Sequence, residues 1–368
     1  MISVFGSLVG NEEIAAVAEV MKSQWMGFGK KVDEFEGDFK AKFGLENFAL
    51  VDSGSNALYM AIKLLDLPVG SHIIVPSFTW VSCAQAVMLA GCVPIFCDVD
   101  INTMNVTKET VAAAITRQTS AIMVVHYAGL PVEMDEIMSL GYPVIEDAAH
   151  AVASTYRGKP CGCIGTIGIY SFDAVKNLTV GEGGGITSPN PRLIDKAKVL
   201  RYCGIGKSGF DSSQENKNCK WWEYSIEEPF IKMLPTNIAA AIGIEQIKKI
   251  DSLQARRKAI WDTYSAQLRS IREILLPVDP KPYATHSYFT YCIRCQDRDQ
   301  LAARMLEAGI YTTLRYHPLH LNSLYGQTQL NLQNSQQLNT EALSIPIHPR
   351  LTDGEVAYVL QVISDFYN

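Results

Sequence analysis

FALVDSGSNALYMAIKLL, residues 48–65, joins an apolar run to a helix-forming stretch through a turn of small polar residues. Phe48-Ala49-Leu50-Val51 has the length and character of a strand buried on both faces. Gly54-Ser55-Asn56 then opens a helix directly after that strand, and Asn56 to Leu65 continues it. Backbone N–H groups at such a terminus, together with the helix dipole, can hold an anion such as a phosphate; the same residues also serve simply as an N-cap.

The unit recurs. Ile73-Ile74-Val75, Pro94-Ile95-Phe96, Ile122-Met123-Val124-Val125 and Val144-Ile145 are short apolar runs bounded by polar or turn residues, with helix candidates at Thr79 to Leu89 and Val111 to Thr116 between them. This alternation predicts an α/β fold, a mostly parallel central sheet with helices on both faces. Ligands of such sheets bind beyond the carboxyl ends of the strands. Those ends carry Asp52-Ser53-Gly54-Ser55-Asn56, Pro76-Ser77-Phe78-Thr79-Trp80, His126-Tyr127 and Glu146-Asp147, so chemically capable groups are expected to converge on one rim. From Asn237 a long helix is expected, because Ile238, Ile242, Ile247, Ile250, Ile260, Tyr264 and Leu268 keep near-helical spacing. It is read as the hinge between a large domain, 1–245, and a smaller C-terminal α+β domain, 246–368, with a strand in Ser287 to Arg294 and a helix in Gln300 to Ala308. Gln327 to Asn339 reads as a polar loop or helix end.

At 368 residues the chain is long enough for about two domains, and at 48% hydrophobic and 19% charged it can bury a substantial core. A net charge of −6 with no Lys/Arg run argues against a nucleic-acid partner. No uninterrupted apolar stretch is long enough for a membrane span, and MISVFGSLVGNEEIAAVAEV lacks the basic start of a signal peptide. The nine cysteines have no framework spacing, and Cys161-Gly162-Cys163 is not a metal or redox C-x-x-C, so no metal is expected and the compartment is read as cytoplasmic.

SFDAVKNLTVGEGGG, residues 171–185, places Lys176 between a β-like run and a glycine cluster. An enzyme using pyridoxal phosphate needs an amine for the aldehyde, an anion against the pyridine nitrogen, an anion cradle and a flat group over the ring. Lys176 can supply the amine if burial or a nearby cation lowers its pKa; otherwise it is a surface or salt-bridged lysine. Asp147, followed by two alanines, suits the pyridine nitrogen or a helix cap. Ser55 and Ser171 offer hydroxyls for the phosphate, and Trp80 either stacks on the ring or fills the core.

Together these segments resemble the DegT/DnrJ/EryC1/StrS sugar aminotransferases. The likeness runs through Gly54-Ser55-Asn56-Ala57-Leu58, Pro76 to Trp80, His126-Tyr127-Ala128-Gly129, Glu146-Asp147-Ala148-Ala149-His150, Ser171 to Asn177, Gly181 to Gly184, Ala239 to Gly243 and Tyr316-His317-Pro318-Leu319-His320. It implies a fold-type-I pyridoxal phosphate enzyme, active as a homodimer with shared sites, that moves an amino group from glutamate to a nucleoside-diphosphate-linked keto-(6-deoxy)hexose. The amino sugar would serve surface polysaccharide, O-antigen or glycoside biosynthesis. By the resemblance Lys176 binds the cofactor covalently and Asp147 meets its pyridine nitrogen. Ser55, Asn56 and Ser171 hold the phosphate, Trp80 stacks on the ring, His150 lies near the cofactor hydroxyl, and His320 is on the substrate side. The likeness to 4-keto-6-deoxyhexose aminotransferases around His126 to Asp135 and at Pro318-Leu319-His320 favours C4 as the carbon aminated, with C3 of a similar keto-sugar as the alternative.

Three residues depart from the family pattern. Asp173 brings an extra carboxylate, which would raise the pKa of the nitrogen at Lys176. Lys232 stands where relatives place an asparagine that reaches the partner subunit's phosphate, which a lysine can meet as a point charge. Arg315 replaces a histidine and either binds a carboxylate or diphosphate or is a surface residue. A sugar 3-dehydratase on this scaffold would carry histidine in place of Lys176, and a non-catalytic sugar-nucleotide-binding relative would not need Lys176 and Asp147. A phosphate-loop reading of Gly204-Ile205-Gly206-Lys207-Ser208 fails because Arg201 stands where the first glycine belongs.

Overall fold

The computed structural model describes residues 1–206, 220 and 222–368; Lys207 and Ser208 lie outside the described residues. The chain opens with helices α1 (Asn11–Lys22) and α2 (Lys30–Phe43). Then β1 (Phe48–Val51), α3 (Gly54–Leu64), β2 (His72–Pro76), α4 (Ser82–Leu89), β3 (Val93–Cys97), α5 (Lys108–Ala112), β4 (Thr119–Val125), α6 (Met134–Met138) and β5 (Val144–Asp147) alternate as expected. A small ribbon, β6 (Thr155–Tyr156) and β7 (Lys159–Pro160), precedes β8 (Ile167–Ser171), β9 (Gly184–Thr187), α7 (Pro191–Leu200) and the long α8 (Asn237–Leu268). The remainder is β10 (Ala284–Thr285), β11 (Tyr291–Arg294), α9 (Arg298–Glu307), α10 (Gln333–Glu341), β12 (Ala342–Ile345) and α11 (Asp353–Tyr367).

Seven strands form the central sheet in the order β1-β9-β8-β5-β4-β2-β3, parallel except for β9, which runs antiparallel to β1 and β8. Successive strand side chains point to opposite faces, and both faces are covered. Phe48, Leu50, Ile74, Ile122, Val124 and Val144 enter one core; Ala49, Val51, Ile73, Val75, Met123 and Ile145 enter the other. This is why the strands read as unbroken apolar runs. Within α8, Ile244, Ile247 and Ile250 pack into the first of these cores, while Ile260, Trp261, Tyr264 and Leu268 enter a third, C-terminal core with β11, β12 and α11. One uninterrupted helix thus serves both regions.

Boundaries differ where side chains or backbone are spent elsewhere. The helix expected from Thr79 begins at Ser82, because Thr79 turns inward to Cys83. The helix expected at Val111 to Thr116 lies earlier, at Lys108–Ala112, started by a reciprocal capping pair between Thr107 and Thr110. Only the end of Ser287 to Arg294 is strand, since Phe289 N–H donates to Ala128 C=O and Ser287 N–H to Ser154 Oγ.

The glycine cluster is explained by β9. A side chain on Gly184 would begin 2.2 Å from the carbonyl oxygen of Ser53, the N-cap of α3. The antiparallel strand therefore lies bare against the start of the first site helix. Gly184→Ala is expected to cost about 1–3 kcal/mol through overpacking, read as a lower urea unfolding midpoint; an unchanged midpoint contradicts this close approach.

Candidate active site

The carboxyl ends of β1, β2, β5 and β8 open into one cavity of about 370 Å³. Its wall includes Ser55, Trp80, Asp147, His150, Ser171, Lys176 and Arg315, residues drawn from widely separated parts of the chain.

Lys176 is placed by a loop tied at its neck. Phe172 N–H donates to Gly183 C=O, Val180 N–H donates to Phe172 C=O, and the Phe172 ring is buried against Phe35 and Phe39. Asp173 organises the turn: its Oδ1 accepts from Val175 N–H at 2.9 Å and its carbonyl from Lys176 N–H at 3.0 Å. The Lys176 ammonium is half-buried, makes no hydrogen bond or ion pair with the described residues, and stands 4.8 Å from the centre of the Phe289 ring. Burial and the Arg315 cation lower its pKa to about 8, against the opposing pull of Asp147 and Asp173. Asp173 thus acts in the expected direction and is outweighed.

Asp147 and Glu146 end β5 facing opposite ways. Asp147 Oδ1 accepts from Ala149 N–H at 2.9 Å and Oδ2 from the Cys83 thiol at 3.2 Å, which leaves a buried carboxylate with free lone pairs at the cavity. Glu146 is buried on the other side and accepts from the N–H groups of Gly162 and Ile164 and from His126 Nε2. His126 Nδ1 accepts from Val132 N–H, so its proton is on Nε2. Glu146 and His126 are therefore a structural pair beneath the site, although both close strands as the rim residues do.

At the other end of the cavity, Ser53 Oγ accepts the N–H of Asn56 and caps α3, leaving the N–H groups of Gly54 and Ser55 without an acceptor among the described residues. Ser55 Oγ lies 2.7 Å from Ser82 Oγ at the start of α4, and Ser171 packs directly against Gly54. Two helix starts and three hydroxyls thus form a cradle for an anion. Asn56 is outside the cavity wall, and its side-chain amide donates to both oxygens of Asp52 at 2.8 and 3.0 Å.

His320 is likewise placed away from the cavity wall. It is fully buried, with Nδ1 2.6 Å from Ser77 Oγ, and it ties the segment after Arg315 to the turn after β2. Lys232 is exposed and is not in the wall of its own chain's cavity. Trp80 is 53% exposed, so it is not a core aromatic; its ring lies 5.5 Å from that of Tyr316. Arg315 is only 5% exposed, so it is not a surface residue. Burial, with the cations Lys176 and Arg315, pushes His150 well below the ordinary histidine range and keeps it neutral. Arg315 Nη1 donates to Tyr316 Oη at 3.2 Å, and Tyr316 Oη lies in hydrogen-bond contact with His150 Nε2 at 3.1 Å. The neutral ring stacks on Phe289 with centroids 4.0 Å apart.

Sequence reasoning passed over Phe5, Ser82, Cys83 and Tyr316. Ser82 and Cys83 follow directly on the Pro76 to Trp80 segment, and Tyr316 opens a quoted motif, so proximity to those segments was their only signal. Phe5 had none; it reaches the cavity because Ile2 N–H pairs with Gly309 C=O and draws the N-terminal segment across.

The comparisons agree with this geometry. The model of the DegT/DnrJ/EryC1/StrS aminotransferase family matches residues 8–364, and the chain belongs to that family. It is 36% identical over 368 residues to a dTDP-4-dehydro-2,3,6-trideoxy-D-glucose 4-aminotransferase from Saccharopolyspora spinosa, an alignment covering 98% of this chain and 95% of the relative. Among solved structures, the aminotransferase TlmJ from Streptoalloteichus hindustanus superposes with a TM-score of 0.92 at 34% identity, covering 99% of this chain and 98% of that one. Spr1654 from Streptococcus pneumoniae, solved in PLP and PMP forms, superposes with TM-scores of 0.89 and 0.91 at 25% identity, covering 98% of this chain and 97% and 98% of those.

The protein is thus a pyridoxal-phosphate-dependent sugar aminotransferase of fold type I. Its cavity fits the cofactor: among the described residues it holds an amine without a hydrogen-bond partner, a carboxylate with spare lone pairs, and a cradle of unpaired N–H groups. No helix among the described residues is long and apolar enough to cross a membrane. Covalent capture of pyridoxal phosphate by the cofactor-free protein requires neutral Lys176, so its rate should climb with pH and level off above about 8; a midpoint near 10.5 would contradict the lowered pKa.

Proposed function

We propose that the protein transfers an amino group from glutamate to C4 of a nucleoside-diphosphate-linked 4-keto-6-deoxyhexose, making an amino sugar for a surface polysaccharide or glycoside. The observation that carries this reading is the half-buried, unpaired Lys176 in one cavity with Asp147 and the α3–α4 anion cradle. The named C4 activity of the Saccharopolyspora spinosa relative supports the regiochemistry.

The cofactor, when bound, supplies an electron sink for the charge left on a carbon that loses a proton. Lys176 holds it covalently and, once freed, takes and returns that proton at Nζ; a pKa of about 8 keeps a useful share of the amine neutral near neutral pH. Asp147 meets the pyridine nitrogen, with Cys83 and Ala149 fixing its two oxygens. Ser55, Ser82, Ser171 and the N–H groups of Gly54 and Ser55 bind the phosphate. His150 lies toward the cofactor hydroxyl, and Trp80 covers the ring and excludes water. Lys232 reaches the partner subunit's phosphate in a homodimer; its place beside exposed Ile231, near exposed Tyr224 and Ile226, supports an apolar contact there.

A panel of dTDP-, UDP- and GDP-linked 3-keto and 4-keto sugars with glutamate, read by mass spectrometry and NMR of the product, tests the assignment. Amination at C4 with release of 2-oxoglutarate is the expected outcome. Product aminated at C3, or a deoxygenated sugar without nitrogen, contradicts it.

A further inference from the structure

Arg315 is a buried cation without an anion. Its guanidinium is in the cavity wall, its residue is 5% exposed, and no carboxylate among the described residues pairs with it. Nη1 donates to Tyr316 Oη at 3.2 Å, and Nε is buried with no acceptor. Among the other buried arginines, Arg257 also lacks a carboxylate among the described residues, but its Nη1 donates to the carbonyl of Ile347 at 2.9 Å and it lies outside the cavity wall. Arg201 meets Glu36 and the carbonyl of Leu50, and Arg294 lies beside Glu341. Burying a guanidinium with an unfilled donor is costly unless an anion arrives to meet it.

The surroundings say where that anion sits. The Arg315 guanidinium carbon is 4.0 Å from the centre of the Phe5 ring and 4.7 Å from that of Phe289, and Lys176 Nζ is 4.8 Å from the same Phe289 ring. Both cations lie within 5 Å of one ring centre, so a ligand group reaching Arg315 lies in the neighbourhood of the amine that performs the chemistry. Aromatic rings pack the guanidinium without neutralising it, leaving its N–H edge for a planar, bidentate acceptor.

We propose that Arg315 anchors the α-carboxylate of the amino-donor amino acid. This rests on the transamination reading above and adds which residue recognises the donor. In an α-amino acid the carboxylate is bonded to the very carbon that bears the nitrogen, so the two groups are separated by only about 3 Å on ordinary bond lengths. A donor delivering its nitrogen beside Lys176 thus brings its carboxylate within reach of Arg315. The diphosphate of a sugar nucleotide offers similar anion chemistry. It hangs from the anomeric carbon, however, across the hexose ring from C4, and falls farther from the reacting nitrogen. Phe5, held over Arg315 by the N-terminal segment, completes the pocket and packs against Tyr311 as well.

The test is calorimetric titration of the PLP-loaded protein with glutarate, a dicarboxylate that lacks the amino group and cannot react, and separately with dTDP. Arg315→Gln should weaken glutarate binding about tenfold or more, the range for a lost charge-assisted hydrogen bond. Arg315→Lys should fall between, since it keeps the charge and loses the fork. Binding of dTDP should change less than about twofold in both variants, within the scatter of a group that is not touched. A dTDP affinity that drops while glutarate is unaffected overturns the proposal and puts the diphosphate on Arg315; unchanged binding of both probes also overturns it. Should Arg315→Gln not fold, Arg315→Lys decides alone, and glutarate binding equal to the parent protein's sinks the proposal. Parent protein that takes up no PLP refutes the transaminase reading instead, so the two failures are distinct.

Discussion

Holding a lysine amine half-buried, near a second buried cation and without an ion pair, is the constraint on which the rest of this structure turns. Lys176 rests over Phe289 with Arg315 over the same ring, and burial with that neighbour lowers its pKa to about 8. An arrangement that resists protonation in this way is unfavourable for an isolated folded chain and useful for one that must form a covalent bond through nitrogen. The surrounding architecture offsets that cost. The loop neck at Phe172, the Asp173 turn, and the contact of Asn177 Nδ2 with Ser287 C=O at 2.7 Å keep the amine where solvent cannot fully reach it.

The sheet supplies the remaining groups in fixed relation to that amine. β5 delivers Asp147 to the cavity and sends Glu146 the opposite way into a buried network with His126, so one strand end provides both a site charge and the scaffold beneath it. β9, antiparallel and bare at Gly184, allows the start of α3 to settle beside Ser171. The C-terminal region completes the cavity wall through Arg315 and through Tyr316, which meets His150, while Phe289 packs beside both cations. Chemistry and packing are therefore coupled at every wall.

Much of this was legible in the chain because it is local. Strand, turn and helix alternate with a period that the apolar runs declare, and Ser55, Asp147, Ser171 and Lys176 stand at strand ends or immediately beyond them. The antiparallel β9 was not legible, since direction is set by long-range pairing and half of its residues are glycine. Asn56 and His320 lie outside the cavity wall for a related reason. Each belongs to a motif that touches the site, but the motif works through a cap hydroxyl in one case and a buried tie to Ser77 in the other. Phe5 lies more than 300 residues from Arg315 in sequence and carries no local pattern, so only the folded chain brings it into view.

The central claim is that Lys176 is the residue that binds the cofactor covalently. Borohydride reduction of the PLP-loaded protein, followed by proteolysis and mass mapping, tests it most directly. The account requires the reduced cofactor on the peptide carrying Lys176 and loss of that label in Lys176→Ala. Label on another lysine, or protein that cannot be reconstituted with the cofactor, would contradict it.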